Sequence, residues 1–210
     1  MPVAALYDIH GNLAALEAVL AEVPDDATIV VGGDVVAGGP QPAEVVERLR
    51  GLGDRVRWLR GNADRELDPN EPGLAPAETI EETRAALSDE QIAFLLANPP
   101  TVRLDRVLYC HATPRNDVDI FTELTPEERL VEIFADVAAD VVVCGHTHMQ
   151  FDRTIGGTRV VNAGSVGMPY EDEPGAYWLL DLVHRRTPYE GAELKATREE
   201  AVAEFTERGL

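Results

Sequence analysis

Residues 3–12 read VAALYDIHGN, and residues 28–40 read TIVVGGDVVAGGP. Each is a short apolar run that stops at a carboxylate in a turn containing glycine, and each is followed by helical spacing, over 13–23 and 42–52. A third alternating run, 55–59, ends at Gly61-Asn62. Strand, polar turn and helix in repeated succession predict α/β architecture. The pattern changes after Asp64. Pro69, Pro72 and Pro76 punctuate the chain before two helical stretches, 77–87 and 89–97, the second opened by Ser88 as an N-cap. The segment of about 65–100 therefore reads as a helical insertion packed over one edge of the sheet. From 101 onward the chain turns towards β. A hairpin is expected over 102–104 and 107–110, ending at His111. A helix is expected over 126–137, capped by Thr125 with Glu128 closing a capping box. A strand at 141–144 runs into GHTH. Hairpins are expected over 151–161, about Gly156-Gly157, and over 177–189, with a last helix at 199–206. No repeat or linker divides the 210 residues, so one domain over 1–210 is the expectation.

The composition, 45% hydrophobic and 27% charged, is that of a globular chain with room for a sizeable core. No apolar run approaches the roughly 20 residues that span a bilayer, so no membrane partner is expected. The opening MPVAALYDIH lacks a basic n-region, so no signal peptide is expected either. Two cysteines without an export signal point to a reducing cytoplasm rather than a disulfide framework. The net charge of −20 argues against nonspecific nucleic-acid binding. It leaves room for a small anionic ligand at a cation-lined site. Lys195 is the sole lysine; every other basic residue is arginine.

Four of the five histidines, His10, His111, His146 and His148, fall in turns after apolar runs. Strand ends in α/β sheets converge on one crevice, so residues distant in sequence meet there. His184, beside Arg185, reads as an ordinary surface residue. Asp8 and Asp34 close the first two strands and Asn62 the third. Asp8 and His10, like His146 and His148, stand two apart, which on an extended turn brings both side chains to one side. A carboxylate has two oxygens, so Asp34 could hold two cations at once. Mixed carboxylate, amide and imidazole donors suit Mn, Fe, Zn, Co or Ni better than Ca or a thiolate zinc site. Cys110 and Cys144 read as small buried strand residues.

The ordered blocks DIHGN (8–12), GGDVVAGGP (32–40), GNAD (61–64), CHAT (110–113) and GHTH (145–148) resemble the calcineurin-like metallophosphoesterases. HATPR (111–115) and NAGSVGMP (162–169) look most like the small bacterial and archaeal phosphodiesterase branch. The resemblance implies a four-layer α-β-β-α sandwich, two mixed β-sheets face to face, with a dinuclear metal site at strand ends. Carried over by motif, Asp8, His10 and His148 would bind one metal, Asp34 would bridge, and Asn62, His111 and His146 would complete the second. Two divalent ions are implied, Mn foremost, with Fe, Zn, Ni, Co or Mg as alternatives. The implied activity is hydrolysis of a phosphodiester or small phosphorylated metabolite by a metal-activated water. Asp64, Asn62 and His111 are the expected catalytic residues, and Asn12, Arg65 and Arg115 the expected substrate contacts. The segments 65–100 and 114–124 are expected to choose the substrate. Two departures stand out. Ala63 replaces a histidine that many relatives use to protonate the leaving group, and Ala37-Gly38 stand where some relatives carry a further Asp. The rival readings are a binding scaffold, as in the related retromer subunit, and a phosphoprotein phosphatase. Scaffold drift would erode the ligands first, and all seven are present.

Overall fold

The computed structural model describes residues 1–71 and 73–210. In chain order it contains β1 (Val3–Leu6), α1 (Leu13–Leu20), β2 (Thr28–Val31), α2 (Pro42–Arg50), β3 (Val56–Trp58) and the single turn α3 (Asn62–Arg65). Then follow α4 (Ala77–Ala86), α5 (Asp89–Leu96), β4 (Thr101–Leu104), β5 (Val107–Cys110) and another short turn, α6 (Val131–Phe134). The chain ends with β6 (Val141–Cys144), β7 (Gln150–Ile155), β8 (Thr158–Ala163), β9 (Ala176–Leu180), β10 (Val183–Thr187) and α7 (Arg198–Arg208).

The strands form two five-stranded sheets, β10-β9-β1-β2-β3 and β4-β5-β6-β8-β7. Both are mixed. β1, β2 and β3 run parallel with β9 and β10 antiparallel beside them; β5, β6 and β8 run parallel between the antiparallel edge strands β4 and β7.

Side chains alternate across a strand, and here both faces are apolar, as in sheets covered on both sides. Ala4, Leu6, Ile29 and Val31 point towards the α1–α2 side, where Leu16, Val19, Val45 and Leu49 meet them. Their neighbours Ala5, Tyr7 and Val30 point the other way and pack with Tyr109, Val143, Val161 and Ala163 of the second sheet. The outer face of that sheet, through Leu108, Val142, Cys144 and Val160, rests on Phe121, Leu130 and Phe134. Three apolar layers thus separate four layers of structure. Cys110 and Cys144 are buried free thiols, as expected.

The 66–100 segment lies along the β3 edge. Phe94 of α5 meets Trp58 edge-on at 5.0 Å, Leu87 and Leu95 join the helix-side core, and the Arg60 N–H donates to Pro99 O (2.9 Å). A covered edge cannot template pairing with another chain.

Three expectations fail locally. The helix foreseen over 126–137 breaks into a 3₁₀ turn, Glu127–Arg129, followed by α6. Its intended cap is spent elsewhere: Thr125 Oγ1 accepts the Thr122 N–H (2.9 Å), and Pro126 at ψ 135° stands as an unassisted cap, so no box forms with Glu128. The last hairpin turns at Asp181-Leu182, both with positive φ, a two-residue turn that shortens β9 and shifts β10 towards the N-terminus. His184 is half-buried rather than a surface residue, its Nε2 donating to Asn162 O (3.0 Å).

Tyr7 pins the two sheets together: it is fully buried, and its hydroxyl donates across the interface to Val143 O (3.1 Å). Tyr7→Phe should cost about 0.5–1.5 kcal/mol, the net value of one hydrogen bond. Tyr7→Ala should cost about 3–5 kcal/mol through the cavity it leaves. Urea denaturation of both variants checks this; equal losses would mean that the hydroxyl, not the ring, carries the contact.

Candidate metal centre

The loops after β1, β2, β3, β5 and β6 meet at one end of the sandwich. Their backbones are stitched together: the Asp8 N–H donates to Gly33 O, His10 N–H to Asp34 O, and Gly145 N–H to His111 O. Two glycines make the approach possible. Gly33 has φ +88°, and a side chain there would strike Gly61 N; one on Gly61 would strike the Asp34 carboxylate. The spacing of Asp8 with His10, and of His146 with His148, does bring each pair together, but not on an extended turn. All four residues have φ between 50° and 67°, as does Asp34 at 51°.

Two triads result. Asp8, His10 and His148 form one and Asp34, His111 and His146 the other, the donor atoms of each lying within 4.8 Å of one another. Hydrogen bonds fix the imidazoles. Nδ1 of His10 faces Ala37 O (2.6 Å), that of His148 faces Met168 O (2.7 Å), and that of His111 faces Gly32 O (2.9 Å). A carbonyl only accepts, so each Nδ1 carries a proton, and each Nε2 is left directed at the other donor atoms of its triad. Ala37, at the position where some relatives carry an Asp, thus contributes its backbone carbonyl. Nε2 of His10 and His148 stand 3.1 Å apart, with Asp8 Oδ1 at 3.9 and 3.4 Å. Nε2 of His111 lies 3.8 Å from the same Asp8 oxygen and 3.5 Å from Asp34 Oδ2. Asn62 lines the same cavity as His10, Asp34, His146 and His148.

The electrostatics follow from burial and crowding. Burial disfavours charge on His111, but the Asp34 and Asp8 carboxylates overcome it and push its pKa up to about 10. His146, desolvated and beside His111, is pushed down to about 4. Burial opposes ionisation of Asp34, yet the neighbouring imidazoles, His111 first, hold its pKa well below the usual carboxylate range.

Several expected roles are redrawn. Asp64 does not face the cavity as an orienting group for Asn62 or a water. It is buried, and its two oxygens accept the N–H groups of Asp34 (2.8 Å), Val35 (3.0 Å) and Gly61 (3.1 Å), clamping two ligand loops. Burial and the Asp34 charge push its pKa up to about 7, against the pull of the Gly61 and Val35 N–H groups. Asp34 Oδ1 accepts the Ala63 N–H (2.8 Å), and Oδ2 lies 3.5 Å from His111 Nε2. Asn12 Oδ1 caps α1 through the Ala15 N–H, and Nδ2 donates to Gly167 O and Tyr189 Oη; the residue lines a neighbouring cavity that also takes His10. Arg65 is held by Asp117 and Glu71, and Arg115 grips Asp119 with two bonds. Both arginines border a separate cavity of about 350 Å³ with His111 and Thr113, not the one lined by the other imidazoles.

Other residues went unread in the sequence. Glu66 accepts Asn62 Nδ2–H (3.1 Å), which leaves Asn62 Oδ1 as the atom presented to the cavity, and also accepts the Leu74 and Ala75 N–H groups. Asn162 braces the GHTH loop through Gly145 O and Thr147 Oγ1, and Ser165 donates to Asp8 O (2.7 Å). These two lie inside the quoted NAGSVGMP block, which was the available signal; nothing in the sequence marked Glu66. The cavity beside the triads, of about 360 Å³, takes Leu74, Ala75, Pro76, Thr79 and Ile120 from the two segments expected to rim it. It also takes Lys195, Phe205 and Arg208 from the C-terminal segment, which was not expected to take part.

Comparison with known proteins agrees with this geometry. The calcineurin-like phosphoesterase superfamily domain matches residues 1–185. The chain is 29% identical over 187 residues to phosphodiesterase YfcE of Escherichia coli, covering 83% of this chain and 84% of that protein. It is 32% identical over 122 residues to a symmetrical bis(5'-nucleosyl)-tetraphosphatase of Pectobacterium carotovorum, covering 53% of this chain. The match spans less than half of that longer relative, 43% of its length. Among solved structures, a Pyrococcus horikoshii protein, PH1004, superimposes with a TM-score of 0.77 at 22% identity, over 90% of this chain and 89% of that one. A Sphaerobacter thermophilus metallophosphoesterase gives 0.73 at 23% identity with the same coverage of each chain, a likeness of fold. The motif order, the two mixed sheets and the paired triads are those of one family, and this chain belongs to the calcineurin-like phosphoesterases.

Proposed function

We propose that the protein hydrolyses a phosphodiester or a small phosphorylated metabolite, with two divalent cations held by Asp8, His10, Asp34, Asn62, His111, His146 and His148. One observation carries this reading. Among the described residues, four buried side-chain polar atoms have no hydrogen-bond partner: Asp8 Oδ1, Asn62 Oδ1, His111 Nε2 and His146 Nε2. Leaving one such atom unpaired costs about 1–3 kcal/mol, and four at one spot is the mark of a missing cation rather than of four separate defects. All are donors of the kind that suits Mn, our first choice, or Fe, Zn, Ni, Co and Mg.

Such a cation pair, when bound, supplies Lewis-acid polarisation of the phosphoryl oxygens and an activated water. The chain supplies the rest. The Nδ1 contacts of His10, His111 and His148 hold those rings with Nε2 inward. Asp34 is kept ionised by its imidazole neighbours, with Oδ2 3.5 Å from His111 Nε2, and would be the residue shared between the two cations. Glu66 holds the Asn62 amide in one orientation. Ala63 lines the cavity with no proton to give, so the position where many relatives carry a histidine supplies no acid to the leaving group.

Three outcomes follow. Asp34→Asn should weaken both cations together and lower kcat/KM by about 10²-fold or more. Metal content measured by mass spectrometry decides the bridging role, which full occupancy in the variant would overturn. Glu66→Gln should lower affinity for the cation nearest Asn62 by about 10–100-fold, as loss of a supporting contact does, and leave the other cation in place. Calorimetric titration with Mn would separate the two sites; equal loss at both would mean that Glu66 acts on the fold instead. Across aryl and alkyl phosphodiesters, kcat/KM should fall steeply as the leaving-group pKa rises. A flat dependence with chemistry rate-limiting would mean that some residue does supply the proton.

A further inference from the structure

The cavity beside the triads has a neighbour. A second cavity, of about 430 Å³, shares His10, Gly38, Met168 and Lys195 with the first, so the two meet along a ridge that carries a candidate metal ligand. Their chemistry differs. The first is walled by Leu74, Pro76, Ile120 and Phe205, and Leu74 stands 53% exposed, one of the few large apolar side chains left open among the described residues. The second is walled by glycine backbone, the Tyr189 ring and two exposed carboxylates, Glu190 and Glu193.

Lys195 stands on the shared ridge. It is the only lysine of the chain, it is exposed, and it makes no hydrogen bond or ion pair among the described residues. Arg208, the other basic residue along the first cavity, is paired with Glu204. The matched family domain ends at residue 185, while Tyr189, Glu190, Glu193, Lys195, Phe205 and Arg208 all come after it. This late segment is fastened to the site. Tyr189 accepts from Asn12, Arg198 is bound to Glu171 and Glu123, and the Phe205 ring lies 5.8 Å from Tyr170, which stacks on His148 at 4.9 Å.

We infer that the site is bipartite and takes a phosphodiester with two unlike arms. An apolar or aromatic arm lies in the first cavity, a polar and preferably cationic arm lies in the second, and the ammonium of Lys195 meets the phosphoryl anion between them. A monoester has one arm and fills only one cavity. In the reaction, water adds to phosphorus, the bond from phosphorus to one arm breaks, and that arm leaves as an alcohol carrying a proton, so a diester and water become a monoester and an alcohol. The inference rests on the phosphoesterase reading; it adds which diester, and which residues choose it.

The test uses the Mn-loaded full chain and three chromogenic esters: p-nitrophenyl phosphorylcholine, with one aryl and one cationic arm; bis(p-nitrophenyl) phosphate, with two aryl arms; and p-nitrophenyl phosphate. The mixed ester should give the highest kcat/KM, by about tenfold, the ratio that 1.4 kcal/mol of extra binding produces. Replacing Glu190 and Glu193 together by Ala should raise KM for the choline ester several-fold more than for the bis-aryl ester. Leu74→Asp should raise KM for both diesters more than for the monoester. A second readout needs no turnover. Lys195 carries the only ε-amino group, so acetylation by an N-hydroxysuccinimide ester is followed at that one site by mass spectrometry. A non-hydrolysable aryl phosphonate ester of choline should slow acetylation of Lys195 and leave the Met1 amine unaffected. Best turnover of the monoester, equal effects of the variants on all three esters, or unchanged acetylation would each overturn the inference. Protection of Lys195 with no ester hydrolysed under any metal would overturn the phosphoesterase reading and keep the bipartite site.

Discussion

Five residues with side chains, Asp8, His10, Asp34, His146 and His148, sit in the left-handed region of backbone space, at the point where their strands end. Each such residue costs about 1–3 kcal/mol and persists only where the surroundings over-determine it. The surroundings here are two apolar-faced sheets whose parallel strands terminate together, and loops that share backbone hydrogen bonds. The strain is what turns the chain by a sharp step after each strand. It aims donor atoms from distant segments at one volume, where an extended exit would have carried them apart. Everything else at this end of the molecule serves that step: the Asp64 carboxylate across three N–H groups, Ser165 under Asp8, Asn162 under the GHTH loop.

Convergence has an electrostatic consequence. Two imidazole lone pairs 3.1 Å apart with a carboxylate oxygen beside them are a repulsive arrangement in a dry site unless positive charge lies among them. In the second triad the Asp34 and Asp8 carboxylates overcome burial and push His111 up to about 10, while burial, and then the neighbouring His111, push His146 down to about 4. The set favours positive charge among its donors, which the proposed cation pair would supply. On that reading a chain of net charge −20 could serve a phosphate anion, because the charge that matters would be local.

The succession of strands along the chain and the identity of the clustered residues were legible because the inner strands are apolar runs and because polar residues after apolar runs are few. Tyr7 and Val30 belong to one face and Leu6 and Val31 to the other by period alone. The left-handed turns were not legible: Asp and His are enriched at positive φ several-fold over other side chains, but only a few per cent of non-glycine residues adopt it and nothing local demands it. Nor was the fate of Thr125, whose hydroxyl was claimed by Thr122 three residues upstream. Arg65 and Arg115 illustrate the larger limit. Proximity to a motif in sequence suggested phosphate contacts, but Asp117 and Asp119 lie near enough to take both guanidinium groups. An ion pair depends on which side chains fold back on their own loop, and spacing does not encode that.

The division between what the family shares and what this chain adds falls at a definite place. The donor atoms, their Nδ1 anchors and the clamping carboxylate all lie within residues 1–185, the matched domain. The outer walls of both cavities draw on Tyr189, Lys195 and Phe205, which lie beyond it. Relatives bear names as different as phosphodiesterase and nucleosyl tetraphosphatase. A strained, fully interlocked cluster tolerates little change, because each ligand loop hydrogen-bonds to another. The segment after the sheets is fastened at fewer points, through Tyr189, Arg198 and Phe205. The donor cluster is thus locked into the strand ends, while the walls around it come from two sources: Leu74, Pro76 and Ile120 from within the matched domain, and Lys195 and Phe205 from chain that arrives after the sheets are complete.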